Sequence, residues 1–438
     1  IGGIPVYSQD WAARSFVGYT LATLFRGVGL GDGSPAGLGL HLFLWFSHTF
    51  VTFAFIASIP FSKYKHIFYT PLNTFFRDDA PKGALEPIPA LEAEIEKDEP
   101  KLGVATLADF TWKQRLDFDA CMRCGRCQSK CPATAAGTEL SPKFLITKMA
   151  DLMRGEPILL RDGTIARVHP NVAETASEAG EAGQPADGQE RWKVIRGDAE
   201  QLPLFEHGLL TENEIWSCTT CRACMEECPA MIEHVDLIVD VRRNLTMIQS
   251  EVPSGVKRVL EGIERQGNPW RLPARERTAW ADGLDVPTMA EKEQVDVLYW
   301  VGCAPSYDER SKRVARAMVQ LLQRAGVDFA ILGEEETCTG DPARRMGEEL
   351  LYQQQAQTNI ETMKQYRFKR LVTTCAHCFN THKNEYQQFG GRPGVDYEVI
   401  HHTQLLAELV AQGKLKPTEA VNERVAYHDP CYIGRYND

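Results

Sequence analysis

The hydrophobic pattern of the chain changes character along its length. Residues 37–61, GLGLHLFLWFSHTFVTFAFIASIPF, run for 25 positions without Asp, Glu, Lys or Arg. That is long enough to cross a bilayer as one helix, and core helices seldom run so far without charge. The stretch before it, Trp11–Arg26, carries Arg14 and Arg26. It is too short to span and reads as an interfacial or loop helix. Residues 78–105 are rich in Asp, Glu, Lys, Pro and Ala and read as a linker. Helical periodicity returns in FLITKMADLMRG (144–155) and HVDLIVDVRRNLTMIQ (234–249). Between them, residues 171–190 are Ala/Glu/Gly-rich and of low complexity, which reads as a mobile surface insertion. From residue 294, short apolar runs (VDVLYW, VDFAIL, RLVTTC, YEVIHH, RVAYHDPC) alternate with the helical stretches 308–326 and 347–366. A strand–helix–strand series of this kind predicts a parallel sheet.

The expected fold is therefore multidomain: a transmembrane α-helix, an α-helical cysteine domain and an α/β parallel-sheet domain. The boundaries are a membrane segment 1–77 with its span at 37–61, the linker 78–105, a domain at 106–250 with an insertion at about 155–200, a helical connector 251–293, and the α/β domain 294–438. A length of 438 residues accommodates these parts. The net charge of −11 gives no support for nucleic-acid binding and suits a protein partner with a basic patch. Lys63, Lys65 and Arg77 follow the apolar run, so its C-terminal end is expected on the cytoplasmic side. The chain starts at Ile1 and ends just after HDPCYIGRYND, and it reads as a fragment with residues missing at both ends.

Eight of the 13 cysteines fall in two matching runs, CMRCGRCQSKCP and CTTCRACMEECP. Both follow C-x2-C-x2-C-x3-C-P, the spacing of bacterial two-cluster ferredoxins. Three cysteines in a tight loop grip one cubane, while the fourth starts a helix pointing to the other cluster. One [4Fe–4S] cluster is thus expected on Cys121, Cys124, Cys127 and Cys228, and a second on Cys218, Cys221, Cys224 and Cys131. A zinc site would use one C-x2-C pair from each run and leave four thiols idle. Arg123, Arg126 and Arg222 beside these cysteines read as solvation of the loops. In the α/β domain Cys303, Cys338, Cys375 and Cys378 each sit just past a strand, at the edge where open α/β sheets bind ligands. Cys431 follows the last apolar run. His377, His382, His401, His402 and His428 lie near these motifs, where loop histidines bonded to backbone are the ordinary outcome. No GxGxxG, Walker loop or nucleophile–base triad is present.

Histidines mark the membrane end. His48 and His66 are 18 residues apart. In one continuous helix that is about five turns, placing both on one face ~27 Å apart, near the two membrane surfaces. Two histidines on one face at two depths are what a helix needs to ligate two stacked b haems, and a histidine bonded to a neighbouring helix is the bland alternative. His41, two turns before His48 on the same face, ranks behind them.

Two resemblances extend this reading. HTFVTFAFIASIPFSKYKH (48–66) resembles the last membrane helix of the nitrate reductase gamma subunit family, which implies one haem b on each of His48 and His66. The second ligands are then expected from a helix outside this chain. Cys303, Cys338-Thr339-Gly340 and Cys375-x-x-Cys378 resemble the cysteine-rich "CCG" domains of heterodisulfide reductase and its relatives. HDPCYIGRYND, with Cys431, looks like the opening of a second copy. The resemblance implies a further iron–sulfur cluster here. Thr339 stands where the family has a fifth cysteine, and four thiolates suffice for an ordinary cluster; the alternative is a copy that has lost its cluster.

CTGDPARR with CAHCFNTHKNEY is similar to the branch of this class proposed to link electron-transfer flavoprotein to menaquinone. It implies a membrane-bound iron–sulfur quinone oxidoreductase. Electrons would pass from a soluble donor, such as reduced electron-transfer flavoprotein, through the clusters and haems to menaquinone. The expected location is the bacterial cytoplasmic membrane with the iron–sulfur domains on the cytoplasmic side. The competing expectations are a heterodisulfide or sulfur-compound reductase coupled to the quinone pool, and a non-catalytic relay subunit.

Overall fold

The computed structural model describes residues 16–30, 34–169 and 192–437. The chain forms two compact units, Ile1–Phe68 and Tyr69–Asp438.

In the first unit, α1 (Phe16–Gly27) precedes α2 (Pro35–Ser58). The start of α2 is set by Pro35 at the first turn and by Ser34, whose Oγ accepts the Gly37 N–H at 2.9 Å. Among the described residues α2 is the helix long and apolar enough to cross a membrane, and none of its residues is buried. It ends at Ser58, short of the expected residue 61. Two 3₁₀ turns, Ile59–Phe61 and Lys63–Lys65, follow before α3 (His66–Phe75) begins. Pro60 has no N–H to continue the α-helical ladder. His48 and His66 therefore do not lie in one continuous helix, and neither the single-face phase nor the ~27 Å spacing expected for one carries across the break. The expected segment Trp11–Arg26 lies partly outside the described residues.

The second unit opens with the remainder of α3. Thr70 Oγ1 donates to the Ala120 carbonyl at 3.0 Å, and buried Asn73 donates to Asp117 Oδ1 at 2.7 Å and to the Ala230 carbonyl at 2.8 Å. The stretch expected as a linker is not free. Leu85, Leu91, Leu102 and Val104 are buried; Val104 and Leu85 pack on the ferredoxin-like part, and the Leu85 backbone bonds Glu385, Arg344 and Gln388 of the cysteine-rich domain. The ferredoxin-like part contains α4 (Trp112–Ala120), α5 (Arg126–Lys130), α6 (Pro142–Met153), α7 (Ala223–Glu226) and α8 (His234–Arg243), the last extended by a π turn, Asn244–Gln249.

The flanks of the expected insertion are folded. β1 (Ile158–Leu159) pairs antiparallel with β2 (Ile165–His169), and β2 pairs parallel with β3 (Trp192–Arg196). Ile158, Ala166, Val168 and Ile195 enter the core shared with α4, α6 and α8. The low-complexity residues 171–190 lie outside the described residues.

Beyond α9 (Ser254–Gln266), four parallel strands form the cysteine-rich domain: β4 (Gln294–Trp300), β5 (Phe329–Ala330), β6 (Arg367–Thr373) and β7 (Glu398–His401), in the order β5-β4-β6-β7. The helices are α10 (Cys303–Tyr307), α11 (Glu309–Arg324), α12 (Asp341–Arg345), α13 (Glu349–Lys364), α14 (Ala376–Asn380), α15 (His402–Ala411) and α16 (Cys431–Gly434). Register aligns Trp300 with Thr373 and Thr373 with His401, so β4, β6 and β7 end level and their following loops share one edge. RVAYHDPC forms no strand. Its alternating Val425 and Tyr427 are 80% and 81% exposed, and no strand among the described residues pairs with them.

Candidate functional site

The two C-x2-C-x2-C-x3-C runs fold alike. In each, the third and fifth positions turn left-handed: Arg123 (φ 54°) and Gly125 (φ 80°) in the first, Thr220 (φ 53°) and Arg222 (φ 61°) in the second. Left-handed turns at these places curl the loop so that backbone N–H groups face inward, as in anion-binding nests. In the second loop the Thr220 N–H donates to Cys218 Sγ at 3.3 Å. Arg222 tolerates a conformation that glycine adopts more readily, and its guanidinium is held by the Lys82 carbonyl and the Tyr436 ring.

Cys121, Cys124, Cys127 and Cys228 line one small cavity. Cys131, Cys218, Cys221 and Cys224 line a second. Each cavity thus draws three thiols from one run and one from the other. Among the described residues no three His, Cys, Asp or Glu close on a point as a single ion requires; two rings of four thiols are the donor set that a cubane takes. Burial raises the Cys218 thiol and lifts Cys224 well above the ordinary thiol range. Such thiols ionise when a metal takes the proton's place. Arg123 pairs with Asp151 of its own domain.

In the cysteine-rich domain the turn after β4 brings the sheet edge together. A side chain at Gly302 (φ +82°) would lie 3.6 Å from Cys378 Sγ, so the β4 and β6 loops are in close approach. Cys303 and Cys338 are hydrogen-bonded, as are Cys375 and Cys378, and the Cys378 thiol is within electrostatic reach of the other three. The bond from Cys338 lowers Cys303, with Arg277 adding to it against burial. The bond from Cys378 takes Cys375 to about 6. The Arg277 guanidinium donates to Cys303 Sγ at 3.5 Å and to Glu336 Oε1 at 2.7 Å. Glu336 in turn accepts the N–H groups of Val301 and Gly302, at 2.9 and 2.8 Å. Buried Thr339 follows Cys338, and its carbonyl accepts the Tyr386 hydroxyl at 3.1 Å.

The thirteen cysteines therefore fall into three sets, two of four in the ferredoxin-like part and one of four at the sheet edge, with Cys431 apart. Cys431, which the sequence suggests opens a second copy of the motif, heads α16 and sits within reach of Cys221 of the second run. Of the histidines, His377 bonds Asp341 Oδ2 at 2.8 Å and stacks on Tyr432. His382 is fully buried against Trp300 and Tyr386 with neither ring nitrogen bonded, and His401 bonds Thr403 and His402. His428 lies in the irregular segment before Cys431. His41 and His48 are exposed on α2, and His66 opens α3. Arg277, Glu336 and Tyr432 were not singled out by the sequence; they carry no motif and reach the thiols only through tertiary packing.

Residues 117–232 match the family model of the 4Fe-4S dicluster domain, and residues 297–383 match that of the cysteine-rich domain. The chain is 40% identical over 432 residues to a protein of Syntrophomonas wolfei named EtfAB:quinone oxidoreductase, covering 97% of this chain and 56% of the relative. It is 41% identical to a "Probable membrane-anchored ferredoxin" of Chromohalobacter salexigens, over 78% of this chain and 48% of the relative. It is 28% identical to one subunit of the dihydromethanophenazine:CoB–CoM heterodisulfide reductase of Methanosarcina barkeri, over 75% of this chain and 72% of the relative. The chain spans about half the length of the first two. No solved structure is significantly similar.

Proposed function

We propose that the chain is an iron–sulfur oxidoreductase, like the EtfAB:quinone oxidoreductase and heterodisulfide reductase subunit to which it is similar, and that it carries electrons from a soluble donor to the membrane quinone pool. The observation that carries the reading is the pair of cavities, each ringed by four thiols drawn crosswise from both cysteine runs. Cys121, Cys124, Cys127 and Cys228 would hold one [4Fe–4S] cluster and Cys218, Cys221, Cys224 and Cys131 the other. Cys303, Cys338, Cys375 and Cys378 would hold a third. When bound, such clusters supply one-electron storage, and the protein's part is to place them and set their potentials.

The donor is reduced electron-transfer flavoprotein or a protein like it, and the acceptor is menaquinone. His48 and His66, with His41 behind them, are the proposed haem b ligands on the resemblance of residues 48–66 alone, since the two do not share one helix, and their second ligands would come from outside this chain. The proposed location of this end is the bacterial cytoplasmic membrane, with the iron–sulfur domains on the cytoplasmic side; the length and apolar composition of α2 support it. Thr339 favours relay over disulfide cleavage, because the strand-end set then offers four thiolates and no fifth.

Purified full-length protein, reduced anaerobically by the flavoprotein, should show haem reduction and its reversal on adding a menaquinone analogue. Absence of haem reduction would sink the quinone route. Cys338→Ala should remove about four iron atoms per chain. Unchanged iron would mean that the strand-end set holds no cluster.

A further inference from the structure

The segment 431–437 lies between the second cysteine run and the cysteine-rich domain and touches both. On one side, the Tyr432 hydroxyl shares a hydrogen bond of 2.8 Å with Thr220 Oγ1. Tyr436 donates its hydroxyl to the Thr220 carbonyl, and Arg435 donates to the Cys221 carbonyl at 3.2 Å. Thr220 stands between Cys218 and Cys221. On the other side, the Tyr432 ring stacks on His377 with centroids 3.8 Å apart and planes 30° apart. His377 stands between Cys375 and Cys378. Tyr436 stacks behind Tyr432 at 4.1 Å, nearly parallel at 13°.

The His377 side chain stacked on Tyr432 is 48% exposed, while Tyr432 itself is 1% exposed. Its surroundings hold it in place. Arg345 lies over the ring at 5.4 Å and pairs with Asp341, which fixes His377 from below. Asn437 donates to the Tyr432 carbonyl at 2.9 Å and to Asn380 Oδ1 at 3.1 Å, tying the segment to α14. Thr220 has a counterpart at the third position of the first cysteine run, Arg123, and that side chain turns to Asp151 of its own domain. The asymmetry between two otherwise matching loops is what selects the second.

We infer that Tyr432 and His377 form the electronic contact between the second ferredoxin site and the strand-end cysteine site, so that electrons pass directly between these two and reach the first ferredoxin site only afterwards. The inference rests on the reading above that both are cluster sites. In each transfer one electron leaves the reduced site and reduces the oxidised one; no bond breaks and no proton moves. Tyr432 and His377 are positioning residues here: their packed rings replace a gap that would otherwise hold solvent or nothing.

The test uses the full-length protein with its clusters. Iron and acid-labile sulfide are counted first. Electrons are then delivered photochemically to the strand-end site, and their arrival at the second ferredoxin site is followed by rapid-freeze EPR. Tyr432→Leu should keep cluster content and midpoint potentials while slowing redistribution by about tenfold. Tyr432→Phe, which keeps the ring on His377 and loses only the hydroxyl contact, should fall between Leu and wild type. A Leu variant that redistributes at the wild-type rate with all sites loaded overturns the bridge. Independently of any variant, the fully reduced wild-type protein should show spin–spin splitting between these two sites, and unsplit signals overturn their adjacency. An iron count showing no cluster at the wild-type strand-end site overturns the underlying reading instead, and the count separates that failure from the failure of the bridge.

Discussion

Arg277 shows how a single buried residue sets the chemistry of a thiol. Its guanidinium is 3% exposed and sits between Glu336 and Cys303 Sγ. A cation held this close in a dry site favours the more negative, reduced form of any cluster on Cys303. Arg277→Gln removes that charge, so the midpoint potential of the strand-end cluster should fall by roughly 30–60 mV, where 59 mV is a tenfold change for one electron. Arg277→Lys keeps the charge and should recover most of the shift. Redox titration followed by EPR gives the answer; a potential unmoved in Arg277→Gln would mean that Glu336 already cancels the cation. The thiols themselves were legible in the sequence, because cluster ligation imposes a local spacing. Arg277 was not, because its role depends on a carboxylate 59 residues away and on burial that only the fold creates.

At the level of elements, close approach of backbones decides how the two iron–sulfur domains meet. Gly347 follows α12 with φ +85°, and a side chain there would lie 2.4 Å from the Arg242 carbonyl carbon and 2.5 Å from the Arg243 nitrogen, both on α8. Neither backbone atom can yield without moving its helix. Gly347→Ala should therefore combine left-handed strain with overlap and cost about 2–5 kcal/mol. Gly413, at φ +72° with nothing within 4 Å, provides the control: Gly413→Ala should cost only the strain, about 1–2 kcal/mol. Thermal unfolding of the two variants measures the difference, and equal losses would show that the helices can separate freely. The helices and strands on either side of this contact were readable from periodicity, within a few residues at each end. Three things were not. The α2 end came early because Pro60 interrupts the ladder. The linker packed because a few apolar residues outweigh its charge. RVAYHDPC looked like a strand by alternation alone, and alternation does not supply a partner to pair with.

Across the second unit as a whole, a chain of buried ions runs from the ferredoxin-like part to the cysteine-rich site. Arg243 of α8 donates to Glu349 Oε2 at 2.8 Å, and Arg344 reaches Glu349 Oε1 at 3.3 Å. Arg344 also pairs with Glu385 at 3.1 Å, Glu385 with Arg345 at 2.9 Å, and Arg345 with Asp341, which holds His377. Nothing in the sequence announces this line. Arg243 and Glu349 are 106 positions apart, and each alone reads as a surface charge. Buried pairs of this kind add little over an apolar contact, but removing one partner leaves a charge that nothing solvates. Glu349→Gln leaves Arg344 with Glu385 alone and Arg243 with Asp240 alone, and should cost about 3 kcal/mol at neutral pH. Burial alone would raise the Glu349 carboxyl; Arg344 and Arg243 more than reverse this and hold it below its ordinary value of 4.5. A carboxyl lowered in the folded state contributes its stability above the unfolded value and loses it as pH falls through the folded one. The gap between wild type and Glu349→Gln should thus hold steady at neutral pH and narrow below 4.5. Limited proteolysis between the two domains reads it directly: the variant should be cut faster than wild type at neutral pH, and the two rates should converge in acid. If the variant resists cleavage as well as wild type, the remaining bonds across the contact, such as Arg242 to the Arg345 carbonyl and Thr246 to the Met346 carbonyl, hold the domains together and Glu349 adds little.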